Sequence, residues 1–444
     1  MLKSTPIPSN PPGPDASAAA QLAWFESDPF GCVEEAARSY GPMFTLRLGS
    51  LGNEDLVGIE HRGEWVFLST PDQLKTMYYA GDSASSGAQA NQVFFGTAEE
   101  SVGYIDGKAH RRRRSQLHPA FSGNRDYIAI IESAVDSHLA RWPREQPFSL
   151  FTGLQLLTSE IIVEIVCGNF CAADRTELTE LLPLIENAAF SREQVLAADQ
   201  RIRDFIDVRL PGHLAASEAL GTDDVMAALL RHAADGDADL TDEVVRDEVF
   251  SLLFTGFATT ANTLAWALLR VLENPGVADT LAAELGDRFR TGPHGRDDFG
   301  GLDYVDKTLM ETLRLHPVSA LNGVRMVTAP TWVDPYMVPA GTILVHCAYL
   351  LHRNPEYYPE PLAFRPERFD GDPVDQYLWG PFGGGTRTCV GRGYALAQMR
   401  VILALILSRA RLRATGPLPP ARQQGIFMGP ADGARCVVEG QPAA

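Results

Sequence analysis

Phe382-Gly383-Gly384-Gly385-Thr386-Arg387-Thr388-Cys389-Val390-Gly391 runs into a helical pattern from Tyr394 to Leu407, and the chain is read outward from it. Glycines let a backbone turn tightly and approach a flat ligand with no Cβ in the way. A cysteine at the start of a helix meets unpaired N–H groups and the positive end of the dipole, which favour thiolate over thiol. Arg387 adds a positive charge suited to an anionic group. Taken alone, Cys389 reads as a buried cysteine beside a turn. The spacing Phe-x-x-Gly-x-Arg-x-Cys-x-Gly joins Phe382, Gly385, Arg387, Cys389 and Gly391 in one pattern that chance rarely supplies.

That pattern resembles the haem-binding loop of the cytochrome P-450 family. The resemblance implies that Cys389 ligates haem iron, on the side where sulfur pushes electron density towards O–O cleavage. It implies a fold that is mainly α with small β-sheets, a roughly triangular single domain. Haem b (iron protoporphyrin IX) would lie between a long central helix and the helix after the cysteine loop. Residues 21–444 are expected to form that domain, and residues 1–20, rich in Pro, Ser and Ala, an extended or mobile lead-in.

Composition sets outer bounds. In 444 residues, 45% are hydrophobic and 21% charged, as in an ordinary globular protein with a large core. Thirty-eight Lys and Arg against 56 Asp and Glu give a net charge of −18, which argues against a general nucleic-acid binder. No run approaches the ~18 consecutive apolar residues of a membrane span, and Met1 to Pro6 lacks an apolar signal core. This resembles the family's soluble, bacterial-type members and points to the cytoplasm. Six scattered cysteines do not read as a disulfide framework. Cys167 and Cys171, with no second Cys/His pair nearby, read as core cysteines, not zinc ligands.

Helical periodicity from Cys32 to Tyr40 stops at Gly41-Pro42. Met43–Leu48 and Glu64–Ser69 read as a strand pair, and Pro71–Met77 as the next helix. Residues 81–103 read as a long polar loop with an apolar tip at Phe94-Phe95, functional or mobile; in the family this loop roofs the substrate. Arg111 to Arg114 are a four-arginine run, ordinarily a solvated face. His110 and Arg114 are four apart and share one side of a helix, and resemble the family's His-x-x-x-Arg pair that binds haem propionates. The other arginines suit docking of an acidic electron-transfer protein.

Asp239 to Glu243 reads as a helix cap, followed by helical periodicity to Leu272 and a stop at Asn274-Pro275. This long apolar helix is interrupted by Thr255-Gly256-Phe257-Ala258-Thr259-Thr260. Gly256 leaves room for a ligand, and threonine hydroxyls bond either back to helix carbonyls or outward. The segment resembles the family's oxygen-binding groove, in which Thr259 matches the threonine that hydrogen-bonds dioxygen. Ala258 stands where the family usually has a carboxylate that helps deliver protons. Thr259, Thr260 or Asn262 with ordered water, or a polar group on the substrate, are the routes left open.

Glu311 and Arg314 place opposite charges three apart on the apolar helix Asp303–Leu315. The pattern resembles the family's Glu-x-x-Arg helix, whose pair locks with a third residue matching Arg368 and fixes the cysteine loop. Val318 to Val324 should pass the haem edge, with Arg325 on a propionate. After Leu407 a β-rich tail is expected, with Ile426-Phe427-Met428 at a hairpin tip over the pocket.

The resemblance thus implies an oxidoreductase, a haem-thiolate monooxygenase that inserts one atom of O2 into an apolar organic molecule in secondary metabolism. Electrons would come from a separate ferredoxin and its reductase, since only 55 residues follow Cys389. Cys389 would be the metal ligand, and Thr259 and Thr260 would handle oxygen. His110, Arg114, Arg325, Arg387, Phe382 and Gly256 would contact the cofactor. Phe94, Phe95, Phe254, Phe257, Val318 and Phe427 are the candidate pocket walls. Ala258 motivates a second reading, a haem-thiolate peroxygenase or isomerase. A third is a non-catalytic relative that binds haem and ligand.

Overall fold

Asp28 caps the helix Pro29–Tyr40 through its side chain, Gly41 at φ 93° ends it, and the next residues alternate into the strand Met43–Arg47. The computed structural model describes residues 10–51, 59–79, 84–95, 100–123, 125–168, 170–186, 191–371, 374–424 and 427–440. It is mainly helical with small sheets, as the sequence leads one to expect. Two compact units can be distinguished, and each draws on separated stretches of chain.

The first unit comprises residues 1–114, 319–363 and 373–389. Its sheet orders the strands Met43–Arg47, Glu64–Leu68, Ile343–Cys347, Leu321–Val327 and Ser85–Ser86. Glu64–Leu68 pairs antiparallel with Met43–Arg47 and parallel with Ile343–Cys347, in the register Trp65 to Ile343. Met43, Val66, Leu68, Leu74, Met77 and Leu344 pack into a core beneath it. Residues 10–17 are tied down: the Thr45 backbone N–H donates to the Pro12 carbonyl at 2.9 Å, and its hydroxyl to Pro11 at 2.8 Å. A helix, Ala18–Ser27, already begins within the expected lead-in; residues 1–9 lie outside the described residues.

The expected loop over 81–103 contains a helix, Gly87–Phe95, with residues 80–83 and 96–99 outside the described set. Its first turn is capped by Ser86, whose Oγ accepts from the Gln89 N–H at 3.0 Å. Ala88, Ala90 and Val93 are buried beneath it. Small side chains hide the helical period there, and packing supplies the stability instead.

The second unit comprises residues 115–318, 364–372 and 390–444. Its axis is the helix Asp242–Glu273, capped by Thr241 and released at Asn274 before Pro275. It packs along Leu150–Cys167, where the Thr158 hydroxyl donates across to the Phe257 carbonyl at 3.0 Å. Both helices are long and apolar enough to cross a membrane, and both are mostly buried in this unit. A helix apolar on every face needs such surroundings. The helices Ile128–Arg141, Asp303–Leu315 and Arg392–Arg409 complete the framework. The tail is β-rich, with strands Leu412–Ala414, Ala421–Gln424, Phe427–Pro430 and Arg435–Val438. Cys167 is buried, but Cys171 is exposed at the N-cap of the next helix, so only the first is a core cysteine.

Candidate active site

In the first unit the cysteine loop is built by tight backbone turns. Gly383 and Gly385 hold φ values of 68° and 66°, which a side-chain-bearing residue rarely adopts. The Cys389 N–H donates to the Phe382 carbonyl at 2.9 Å, and the Thr388 N–H to Gly385 at 3.2 Å. Cys389 thus lies two residues before Gly391, the N-cap of Arg392–Arg409. The loop rests on Tyr78: a Cβ on Gly384 would come within 2.5 Å of the Tyr78 ring. The Tyr78 hydroxyl bonds His346 Nδ1 at 2.9 Å, and the Arg325 guanidinium lies 5.6 Å from the Tyr78 ring centroid. Burial pushes His346 down to about 3, so the imidazole is neutral.

Arg114 and Arg387 both anchor the cysteine loop. Arg114 Nη1 donates to the Thr388 carbonyl at 2.7 Å, pinning the residue before Cys389. Burial draws the Arg114 pKa down; the Cys389 sulfur favours its charge, and the Arg387 guanidinium opposes it. Arg387 is already paired: Nη2 reaches Asp106 and the Ile105 carbonyl, and Nη1 the Gly103 carbonyl at 3.2 Å. Its Nε is buried without a partner, against Gly87. Burial raises the Asp106 carboxyl, but hydrogen bonds from Ser86 and the charge of Arg387 outweigh it and hold the group below the usual carboxylate range. Nη1 keeps a second N–H beyond its bond to Gly103, so an anion at Arg387 would meet Nη1 or Nε.

His110 is buried on the helix Gly107–Phe121, one turn before Arg114. Arg325 is also buried and donates to the Val324 carbonyl at 2.8 Å. Of the remaining arginines, Arg111 and Arg112 are exposed, but Arg113 is buried and donates to the Glu100 carbonyl. Arg113 is thus removed from any docking patch. Phe94 stacks obliquely between Trp65 and Phe95, whose ring meets Tyr104.

These residues suit an anionic, iron-carrying macrocycle. Cys32, Cys167, Cys347 and Cys436 are buried, and burial raises the pKa of each thiol, whereas Cys389 is exposed at the tip of a pinned loop. The Arg114 guanidinium faces the Cys389 sulfur electrostatically, and guanidinium groups are matched to carboxylates.

The second unit carries the long-helix residues. Thr259 Oγ1 donates to the Thr255 carbonyl at 3.0 Å and Thr260 Oγ1 to the Gly256 carbonyl at 3.2 Å, both bonded back to the helix. Thr259 is half-buried, whereas Thr260 and Ala258 are buried. The reading of Gly256 as room for a ligand is corrected: a Cβ there would lie 2.6 Å from Ile162 Cγ1, so the missing side chain admits the neighbouring helix. Phe257 has no exposed surface and belongs to the core, not to a pocket wall. Phe254 is half-buried, 6.2 Å from the Phe427 ring, and the Met428 N–H ties that strand to the Val318 carbonyl at 2.8 Å. Ile426 lies outside the described residues.

Glu311 and Arg314 are both fully buried. Arg314 donates Nε to Oε2 at 2.6 Å and Nη2 to Oε1 at 2.8 Å. Arg368 Nε and the Arg365 backbone N–H reach the same Oε1 at 3.2 and 2.8 Å. Four donors on one carboxylate offset the cost of burying the charges.

Sequence reasoning passed over Tyr78, His346 and Asp106. Asp106 adjoins the His110 motif and was within reach. Tyr78 lies some three hundred residues before the glycines it supports, and no local pattern marks it.

A family model described as "Cytochrome P450" matches residues 11–437. The "Putative cytochrome P450 135B1" of Mycobacterium tuberculosis is 30% identical over 449 residues, covering 96% of this chain and 90% of the relative. The "Putative cytochrome P450 139" of the same species is 29% identical, covering 77% and 86%. Among solved structures, one titled "Retinoic acid bound cyanobacterial CYP120A1" superposes with a TM-score of 0.81 at 18% identity, covering 99% of this chain and all of that one.

Proposed function

The chain belongs to the cytochrome P450 family, whose members are haem-thiolate monooxygenases using haem b, and from that premise we propose that it hydroxylates an apolar organic small molecule with electrons from a ferredoxin-type partner. The balance is RH + O2 + 2e⁻ + 2H⁺ → ROH + H2O. The haem-binding part is taken to begin before residue 21, because the helix Ala18–Ser27 crosses that point, and the protein to act in the cytoplasm. When bound, the haem supplies dioxygen binding and reductive activation.

The protein's own residues divide the remaining work. Cys389 ligates the iron. Arg114, His110, Arg325 and Arg387 would hold the propionates, and Phe382 would pack at the cofactor. The Glu311–Arg314–Arg368 network keeps the framework rigid. Thr259 would hold a proton at Oγ1, now donated to the Thr255 carbonyl, for delivery to oxygen, and the buried Thr260 would support the helix turn beside it. Phe94 and Phe95 in the first unit, and Phe254, Val318 and Phe427 in the second, are the apolar side chains assigned to orienting the substrate. Arg111 and Arg112 form the exposed basic edge that meets an acidic ferredoxin.

The observation that carries this reading is the exposed Cys389 on a loop pinned by Arg114. The reduced protein under CO should show a thiolate-type Soret band, and Cys389→His should lose it. An imidazole-type band in the parent protein, or no bound haem, would sink the assignment. The buried Ala258 favours one rival, a peroxide-driven enzyme. Turnover with peroxide but none with NAD(P)H, ferredoxin and reductase would establish that rival.

A further inference from the structure

A helix carbonyl has two lone pairs, and one of them accepts from the N–H four residues on. In the middle of the helix Asp242–Glu273 side chains take up the other. The Thr255, Gly256, Ala258 and Thr259 carbonyls accept from Thr259 Oγ1 at 3.0 Å, Thr260 Oγ1 at 3.2 Å, Asn262 Nδ2 at 3.0 Å and Thr263 Oγ1 at 2.8 Å. Each donor stands four residues after its acceptor on the same helix. Phe257 breaks the run, because the residue four further on is Ala261, whose side chain has no donor. There the bond comes from outside. Thr158 Oγ1, on the helix Leu150–Cys167, reaches the Phe257 carbonyl at 3.0 Å.

We propose that Thr158 is a positioning residue for Thr259, setting the rotation and height of the helix turn from which Thr259 presents its hydroxyl. The inference rests on the monooxygenase reading above. Thr158 has no exposed surface, and its single proton has rival acceptors on its own helix, the Leu154 carbonyl at 2.9 Å and the Gln155 carbonyl at 3.3 Å. Given wholly to Leu154, the usual back-bond of a helical threonine, it would leave two bare oxygens facing each other at 3.0 Å across the helix pair. Shared as a three-centre bond, it joins the two helices instead.

A second contact lies one turn along. Ile162, four residues after Thr158, fills the space beside Gly256, where a Cβ would lie 2.6 Å from Ile162 Cγ1. One directional and one steric contact thus fall on neighbouring residues, Gly256 and Phe257, and together define the rotation of this turn and its height along the axis. Phe257 and Ala261 bracket the accepted carbonyl, and at about 100° per residue each is about 160° around the helix from Thr259. Thr158 therefore acts from the side of the helix opposite Thr259.

Thr158→Val keeps the side-chain shape and removes the donor, whereas Thr158→Ser keeps the donor. Two measurements on the holoprotein need neither substrate nor redox partner. Amide hydrogen exchange over residues 251–263 should quicken about 2- to 10-fold in the Val variant, the effect of one lost hydrogen bond. The C–O stretch of the dithionite-reduced CO form should shift. The Ser variant should match the parent in both.

A third measurement reads the reaction. With NADPH, a plant-type ferredoxin and its reductase, O2 is reduced to H2O with four electrons or escapes as H2O2 with two. In the Val variant the water-forming rate should fall by up to about 100-fold, the scale of a misplacement of about 1 Å, and the peroxide share should rise. In a Thr259→Val background the same change should move neither the C–O stretch nor the peroxide share further. A purely structural role would instead add its effect in both backgrounds. Thr158→Ala gives the same comparisons should the Val variant fold poorly. Hydroxyl-free variants that match the parent in exchange, C–O stretch and peroxide share, or that act equally with and without the Thr259 hydroxyl, overturn the inference, while a thiolate-type CO spectrum leaves the family reading standing. An imidazole-type spectrum in the parent would instead overturn the reading on which the inference rests.

Discussion

The Tyr78 hydroxyl and His346 Nδ1 lie 2.9 Å apart, buried beneath Gly384 and Gly385 of the cysteine loop. The pair joins the helix Pro71–Tyr79 to the strand Ile343–Cys347 and sets the height at which the loop sits. Tyr78→Phe keeps the ring and removes the hydroxyl, leaving a buried imidazole nitrogen without its bond. We expect a loss of about 1–3 kcal/mol in stability with the CO spectrum retained. Tyr78→Ala removes the ring itself and should weaken haem retention as well. Equal haem content in the two variants would show that the ring is not the loop's support.

His346 also sets a pH dependence. Its folded pKa of about 3 lies below the ordinary value near 6.5, because burial disfavours the cation. Between those values the unfolded chain binds the extra proton, so stability is full above about pH 6.5 and declines as pH falls towards 3. The slope from this group reaches about 1.4 kcal/mol per pH unit. Urea melts at pH 7, 6 and 5 should show a flatter decline for His346→Gln than for the parent. Parallel declines would assign the acid sensitivity elsewhere.

Gly256→Ala tests what the glycine is for. A methyl there meets Ile162 Cγ1 at 2.6 Å and Cδ1 at 2.7 Å. Alanine favours a helix interior by about 1 kcal/mol over glycine, but the overlap should cost about 1–3 kcal/mol. The single variant should therefore melt no higher than the parent. In an Ile162→Ala background the same change should be stabilising. A double-mutant cycle with no coupling would restore the idea that Gly256 faces open space.

Glu311→Gln removes the charge on which Arg314 and Arg368 converge. Breaking one partner of a buried ion network typically costs about 3–5 kcal/mol. Little folded holoprotein should accumulate, read as CO-active haem per unit of expressed chain. Arg368→Lys, which keeps the charge that meets Glu311, should be milder. Reversal of that order would place the centre of the network elsewhere.

Legibility in the sequence followed the range of the interaction. The cysteine loop and the helix Asp303–Leu315 could be read directly, because spacing, caps and a proline stop are local. Glu311 meeting Arg368 across 57 positions was reached only through the family pattern. The helix Gly87–Phe95 was missed, although Ser86 three residues before Gln89 is the spacing of an N-terminal cap. The direction in which Gly256 opens depends on which helix lies beside it, and Arg113 is buried by a neighbour that charge patterning does not reveal.

The strand Glu64–Leu68 is flanked on one side by Met43–Arg47, which precedes it, and on the other by Ile343–Cys347, which comes about 280 residues later. At about 5–20 residues per second, the nascent chain waits roughly 14–56 seconds before Trp-Val-Phe-Leu at 65–68 finds its second neighbour. Through that interval an apolar strand edge is open to other chains. The rate of synthesis relative to chaperone capture, more than final stability, then governs how much of this protein matures.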